Sequence, residues 1–348
     1  MLVEKYRYAL LVSSLSVLLT PGFHAKVYGQ NDKDAMKTAE EFLKVPPRPK
    51  RPDLPPSSLP LKFNAQERIA FIGNSTAERM NLFGHFETAL HLRFANLKLV
   101  VRNFARPADE VGNRQRSNDY TKLDDPVKAF GADTYFCFFG FNESFAGPSG
   151  IEKFKADYEG MLDEYAKRYP RDDSGASPRF VLVSPIAVES TADPLLPNAA
   201  EQQANLVLYR DAIKAVAEKR KLAFVDILEA TRAKFEEKPG MQHTINGVHV
   251  NEAGDKVVSQ ALEQQLFQSG SSTTDAAKVA LIRKAVNDKS WVHLQDYRML
   301  NGWYVYGGRR TWDTETFPRE YIKIRNMAAG RDQAIWDIAL GKISKYEP

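Results

Sequence analysis

The sequence predicts a three-layer α/β/α sandwich built on a mostly parallel five-stranded sheet, and two observations carry that reading. Between residues 63 and 270, short apolar runs recur at Ile69–Ile72, Leu97–Val101, Thr134–Phe139, Phe180–Val183 and Ala223–Ile227. Helical patterns separate or follow them, clearest at Ile151–Tyr169, Ala199–Arg220 and Ala253–Phe267. Strands that alternate with helices must return in the same direction, which gives a parallel sheet with helices on both faces.

The flanking segments read differently. Residues 1–29 have the pattern of an export signal: Lys5 and Arg7, then an apolar core from Ala9 to Leu19, then a Pro21-Gly22 break and small residues up to Gly29. The core is too short to span a bilayer comfortably, so no membrane span is expected in the mature chain, which is placed in the periplasm or outside the cell. Residues 30–62 combine a short helix near Asp34–Leu43 with a stretch so rich in proline that it reads as a semi-rigid tether. Beyond 270, a helical segment from Asp275 to Asp288 leads into a tail dense in rings (Trp291, Trp303, Tyr304, Trp312, Trp336) interleaved with arginines. That extension, 271–348, reads as rings packed on the sheet domain, or else as a stacking wall for a sugar-like ligand.

Composition excludes several classes. The 348 residues are 43% hydrophobic and 26% charged, with a net charge of +4 spread along the chain and no nucleic-acid motif. The single cysteine, Cys137, lies within an apolar run and reads as a buried, inert thiol. No Cys/His spacing suggests a metal, and no cofactor is implied.

The chain is organised around Arg68–Met80. The apolar run to Ile72 is broken by Gly73-Asn74, Ser75 follows at once, and from Thr76 a helical face begins through Met80, Phe83, Phe86, Leu90 and Phe94. A serine there sits at a strand's carboxyl end beside the free N–H groups of a helix start, a setting that suits a nucleophile. The same residues also read as a capping box, Ser75 with Glu78. Ala105-Arg106 follows the second strand and Gly140-Phe-Asn-Glu143 the third, so all three loops are expected to face one crevice, where Asn74, Arg106 and Glu143 would meet substrate.

Taken together, Gly73-Asn74-Ser75, Gly140-Phe141-Asn142-Glu143 and Asn246-Gly247-Val248-His249 resemble, in order and spacing, the blocks of the SGNH hydrolases, the GDSL-type esterases and lipases, over roughly residues 66–268. The resemblance implies a flavodoxin-like sandwich and a serine carboxylic-ester hydrolase. It makes Ser75 the nucleophile, His249 the general base, and Ser75 N–H, the Asn142 amide and Ala105 N–H the oxyanion hole. The expected substrate is an acylated carbohydrate or another small ester.

The chain departs from the family pattern at three places. Asn74 replaces the first-block Asp, Ala105 replaces the second-block glycine, and Asn246 stands where the family has its triad acid. In the serine-protease template, Asp to Asn at that place costs about 10⁴ in kcat. Glu143 and Glu252 are the acids close enough in sequence to substitute. The alternative is a weak or inactive module of the same fold that binds glycans. Of the other histidines, His85 and His91 read as surface or face-edge residues on the first helix, His243 as a loop residue with a structural or solvent role or else a substrate contact, and His293 as having no evident partner.

Overall fold

The computed structural model describes residues 47–114, 125–191, 193–196, 199–237, 242–269, 275–297 and 316–348, apart from the side chains of 297, 316–319 and 321. The expectations for residues 1–29, for the helix near 34–43 and for Trp303, Tyr304 and Trp312 lie outside them.

The strands are β1 (Arg68–Gly73), β2 (Val100–Asn103), β3 (Thr134–Phe138), β4 (Arg179–Val183) and β5 (Ala223–Val225). They form one sheet in the order β2-β1-β3-β4-β5, with every pairing parallel. The helices are α1 (Ser75–Phe83), α2 (His85–Arg93), α3 (Pro126–Phe130), α4 (Ile151–Arg168), α5 (Ala199–Arg220), α6 (Leu228–Glu237), α7 (Glu252–Phe267), α8 (Ala276–Tyr297) and α9 (Thr316–Ala339).

Strand side chains alternate between faces. Ile69, Phe71, Phe136, Phe138, Val181 and Val183 therefore meet α1, α2 and α7 through Met80, Phe86, Leu90, Val258 and Leu262. Ala70, Ile72, Tyr135, Cys137, Phe180 and Leu182 meet α4 and α5 through Phe154, Tyr158, Tyr209 and Ile213. Cys137 is buried, and its burial pushes the thiol far above its ordinary pKa.

Three expectations are corrected. The first helix is two: Gly84, left-handed at φ 68°, ends α1 and starts α2. A side chain there would collide with α8, since a Cβ would lie 2.3 Å from Asn287 Oδ1. Residues 47–62 are docked on the sheet domain rather than held off it. Proline removes N–H donors and leaves carbonyls unpaired, and arginines take them: Arg171 Nη2 donates to Pro52 O at 2.8 Å and Arg179 Nη1 to Lys62 O at 3.0 Å. His91 is buried, with Nε2 3.3 Å from Glu87 Oε1.

The extension covers an edge. β2 borders the sheet, so the carbonyls of alternate residues point away from β1 with no strand to receive them. The helices α8 and α9, which pack on each other and on α2, supply the donors. Trp336 Nε1 donates to Leu99 O at 2.9 Å and Lys289 Nζ to Val101 O at 3.0 Å, while His293 Nε2 lies 3.1 Å from Asn103 O. His293 thus has a partner that its sequence neighbourhood did not reveal. Lys289 is fully buried and also bonds both carboxylate oxygens of Glu87, at 2.6 and 2.7 Å. Arg102, on β2 itself, pairs with Asp332 of α9 through two bonds of 2.9 and 2.6 Å.

Removing one member of a buried pair strands the other. Lys289→Ala is accordingly expected to cost about 3–5 kcal/mol in urea denaturation. A loss below about 1 kcal/mol would show that the extension is not held through this contact.

Candidate active site

At the carboxyl end of β1, Gly73 adopts φ 133°, and a Cβ on it would lie 2.1 Å from Phe138 O. Only glycine fits so close to β3. The next N–H, of Asn74, donates to Phe138 O at 3.0 Å. Asn74 is buried and is the N-cap of α1, its Oδ1 accepting from Thr76 N–H at 3.1 Å. The capping reading of the serine is thereby set aside: Asn74 caps the helix, so Ser75 is not needed for that task. Ser75 is the first helical residue, half-buried, where the geometry of a helix start leaves its N–H without an intrahelical acceptor. Asn74, expected to meet substrate, has its Oδ1 committed to the turn.

The histidine comes from the loop before α7. Asn246 Oδ1 accepts from His249 N–H at 3.0 Å and from Val248 N–H at 3.4 Å, which identifies that atom as the amide oxygen. The same oxygen lies 3.1 Å from His249 Nδ1. An oxygen has no proton to give, so Nδ1 carries the hydrogen and Nε2 is left as the basic nitrogen. Burial, followed by the nearby Arg79 guanidinium, holds the imidazole below its ordinary pKa, against a smaller opposing effect of Glu78. Both residues lie on the first turns of α1, and Arg79 Nε donates to Val250 O at 2.6 Å. The histidine loop is therefore docked on the helix that Ser75 begins.

Of the loop after β3, Asn142 donates one amide hydrogen to Asp109 O at 3.3 Å and keeps a second. Glu143, expected to meet substrate or to orient the histidine, has its carboxylate bonded to backbone N–H groups. Its carboxylate accepts from Gly140 N–H and Val111 N–H, each at 2.9 Å, and so ties the β2 and β3 loops together. Burial raises its pKa to about 7 despite those two bonds. Glu252 points the other way, to Arg283 of α8.

Ala105 is also reassigned. Its N–H donates to Asn103 Oδ1 at 3.0 Å, within a turn whose Asn103 Nδ2 bonds Ala77 O at 2.6 Å. The left-handed residue of this loop is Ala108, at φ 63° and exposed, next to the Asp109 carbonyl that Asn142 holds. Arg106 is buried, and its N–H bonds Gly73 O at 2.9 Å.

Sequence reasoning missed Glu189. It is buried in the loop after β4 and organises the whole histidine segment. Its Oε1 accepts from His243 N–H at 2.8 Å, and its Oε2 accepts from Thr244 N–H at 2.8 Å and from Thr244 Oγ1 at 2.6 Å. Thr244 Oγ1 in turn receives Gly247 N–H at 2.8 Å. His243 stacks on Phe235 with ring centroids 5.2 Å apart. Nothing around Glu189 in sequence marks it, because its partners, backbone and side-chain groups of His243 and Thr244, lie some 55 residues away. Among the described residues, no cluster of His, Cys, Asp and Glu could hold a metal ion. None of the described helices is long and apolar enough to cross a membrane.

The profile of the GDSL-like Lipase/Acylhydrolase family matches residues 71–257, more than half of the chain and a span that holds Ser75, Asn142, Glu189, Asn246 and His249. The chain belongs to this family, a family of ester hydrolases. No curated protein sequence matches it. Among solved structures it is similar to a Parabacteroides merdae protein described as a candidate GDSL-like lipase (15% identity, 59% of this chain and 97% of that one, TM-score 0.47). It is also similar to an acetylxylan esterase of Geobacillus stearothermophilus (16% identity, 58% and 95%, TM-score 0.44) and to an α/β-hydrolase enzyme from the metagenome of Lake Arreo, Spain (19% identity, 59% and 96%, TM-score 0.43).

If Glu189 sets the histidine loop, Glu189→Ala strands two backbone N–H groups and a hydroxyl, and is expected to cost about 3 kcal/mol. Glu189→Gln, which keeps one acceptor oxygen, is expected to cost less. Equal melting temperatures for the wild type and both variants would leave Glu189 without that role.

Proposed function

We propose that the protein is a serine ester hydrolase in which Ser75 and His249 act as a pair. The observation that carries this reading is the Asn246 amide oxygen, which fixes the proton on His249 Nδ1 and frees Nε2 on a loop docked against the Ser75 helix. Ser75 Oγ attacks the ester carbonyl while His249 Nε2 takes its proton. The negative charge that forms on the carbonyl oxygen falls to Ser75 N–H, the remaining amide hydrogen of Asn142 and Ala108 N–H, which takes the part first given to Ala105. The imidazolium then protonates the leaving alcohol, and a water activated by the neutral imidazole releases the acid from Ser75.

The substrate class we favour is an acylated carbohydrate or another small ester. Phe145 and Ile245, 64% and 63% exposed on the loops that carry Asn142 and His249, support it by offering ring and aliphatic surface beside the site. Export to the periplasm or the exterior belongs to the same reading and rests on the pattern of residues 1–29. A binding-only role is favoured by a different observation, that Asn246 brings no charge to the imidazolium.

Hydrolysis of a short-chain aryl ester tests the pair. Ser75→Ala and His249→Ala are each expected to remove the activity, and equal rates for the two variants and the wild type would leave a crevice that only binds. Because the imidazole must be neutral to accept a proton, kcat/KM should rise with pH through the His249 pKa. Burial and Arg79 lower that pKa, so the acid limb should lie below about 6.5.

An anionic partner stabilises the imidazolium, so Asn246→Asp should raise kcat about tenfold or more and move the acid limb to higher pH. An unchanged rate and limb would show that the amide already does all that the reaction needs.

A further inference from the structure

A second site lies at the opposite end of β1. A cavity of about 560 Å³ opens between the proline segment, α3, the start of the sheet and α9. Its lining includes five arginines (Arg48, Arg51, Arg68, Arg102 and Arg325) against two aspartates, Asp296 and Asp332. Both aspartates are committed: Asp332 to Arg102, and Asp296 to Arg325 at 2.9 and 3.0 Å. Arg51 reaches Asp133 at 2.8 Å, but that carboxylate also serves Arg171 at 3.1 Å. Arg68 donates to Phe130 O at 3.2 Å, and among the described residues neither it nor Arg48 forms an ion pair.

Among the described residues, three guanidinium nitrogens, Arg48 Nε and Nη1 and Arg51 Nε, are buried without a protein acceptor. Such groups are costly when left unpaired, and more so when charged. The crowding registers on Arg68, whose pKa is lowered by burial and then by Arg51, with Arg48 and Arg102 adding to it against the opposing Asp133. Arg48 is held in place by its chain: its N–H bonds Asp173 Oδ2 at 2.7 Å, and its head lies over Gly131, where a Cβ would come within 2.4 Å of Nη1. Apolar residues make up much of the remaining lining, Val100, Phe104 and Phe130 among them, beside His293 and Asn326. A volume of several hundred Å³ with aromatic walls and a few convergent polar groups is the form of a small-molecule site.

We propose that this cavity binds an organic anion, its carboxylate or phosphate group held by Arg48, Arg51 and Arg68 and its apolar body lying against Phe104 and Phe130. The site is separate from the ester-hydrolase crevice. At about 3.3 Å per residue, the six residues of β1 put Arg68 about 16 Å from Gly73, and the proposal does not depend on the activity of Ser75.

The test is thermal stability at constant ionic strength with 2-naphthoate and 2-naphthyl phosphate, beside neutral 2-naphthamide and inorganic phosphate. At least one organic anion should raise Tm by several degrees, and by more than either control, in both the wild type and Ser75→Ala. Arg48→Gln and Arg68→Gln should each weaken that response about tenfold or more in ligand concentration, the cost of a lost charge-assisted hydrogen bond. Arg48 lies outside the sheet, so its variant keeps the test open if Arg68→Gln misfolds. The proposal fails if neither organic anion stabilises the protein, if the amide or inorganic phosphate does as well, or if the Arg48 variant responds like the wild type.

Discussion

The crevice depends on how close β1 comes to β3 at Gly73. With no side chain there, the backbone approaches Phe138 near enough for Asn74 N–H to bond its carbonyl, and the helix starts one residue later. The loop after β2 is stitched to the same place, because Arg106 N–H bonds Gly73 O. Glu143 ties that loop to the one after β3. Three loops that chain order keeps far apart are thus referenced to a single glycine, and a larger residue there would displace all of them together.

The fold was legible because it is written in local pattern. Apolar runs of strand length with helical stretches between them leave few ways to pack, and the observed order has the first strand inside the sheet with β2 at its edge. Boundaries were less legible: the second run reads as Leu97–Val101, whereas β2 is Val100–Asn103, since burial continues past the last aliphatic residue. The three site blocks were visible for the same local reason. What stayed hidden was every role that depends on a distant backbone group. Position in the motif points to Ala105, but its N–H is taken up by Asn103 Oδ1. Glu189 and His293 are ordinary in sequence and become specific only when the sheet brings carbonyls and amides to them.

The histidine shows how an amide can take over part of an acid's work. Orientation and tautomer need only an acceptor held still, and two backbone N–H groups hold the Asn246 oxygen in place. Stabilising the charged imidazole needs a full negative charge, which an amide lacks. These two contributions are usually supplied by one carboxylate, and here they are separated. The neighbouring groups lean toward the neutral ring, since the effect of Arg79 outweighs that of Glu78.

The covered edge of β2 has a consequence for how the chain reaches its native state. The stretch matched by the family profile stops at residue 257, yet the donors that close this edge arrive from residues 289, 293 and 336, up to 237 positions after the carbonyls they meet. Contacts of such separation form late and slow the search for the native topology. Until the last helix emerges from the ribosome, the nascent domain carries an open strand edge able to pair with any passing chain. The stretch that matches the family profile is therefore shorter than the stretch whose contacts close the sheet edge.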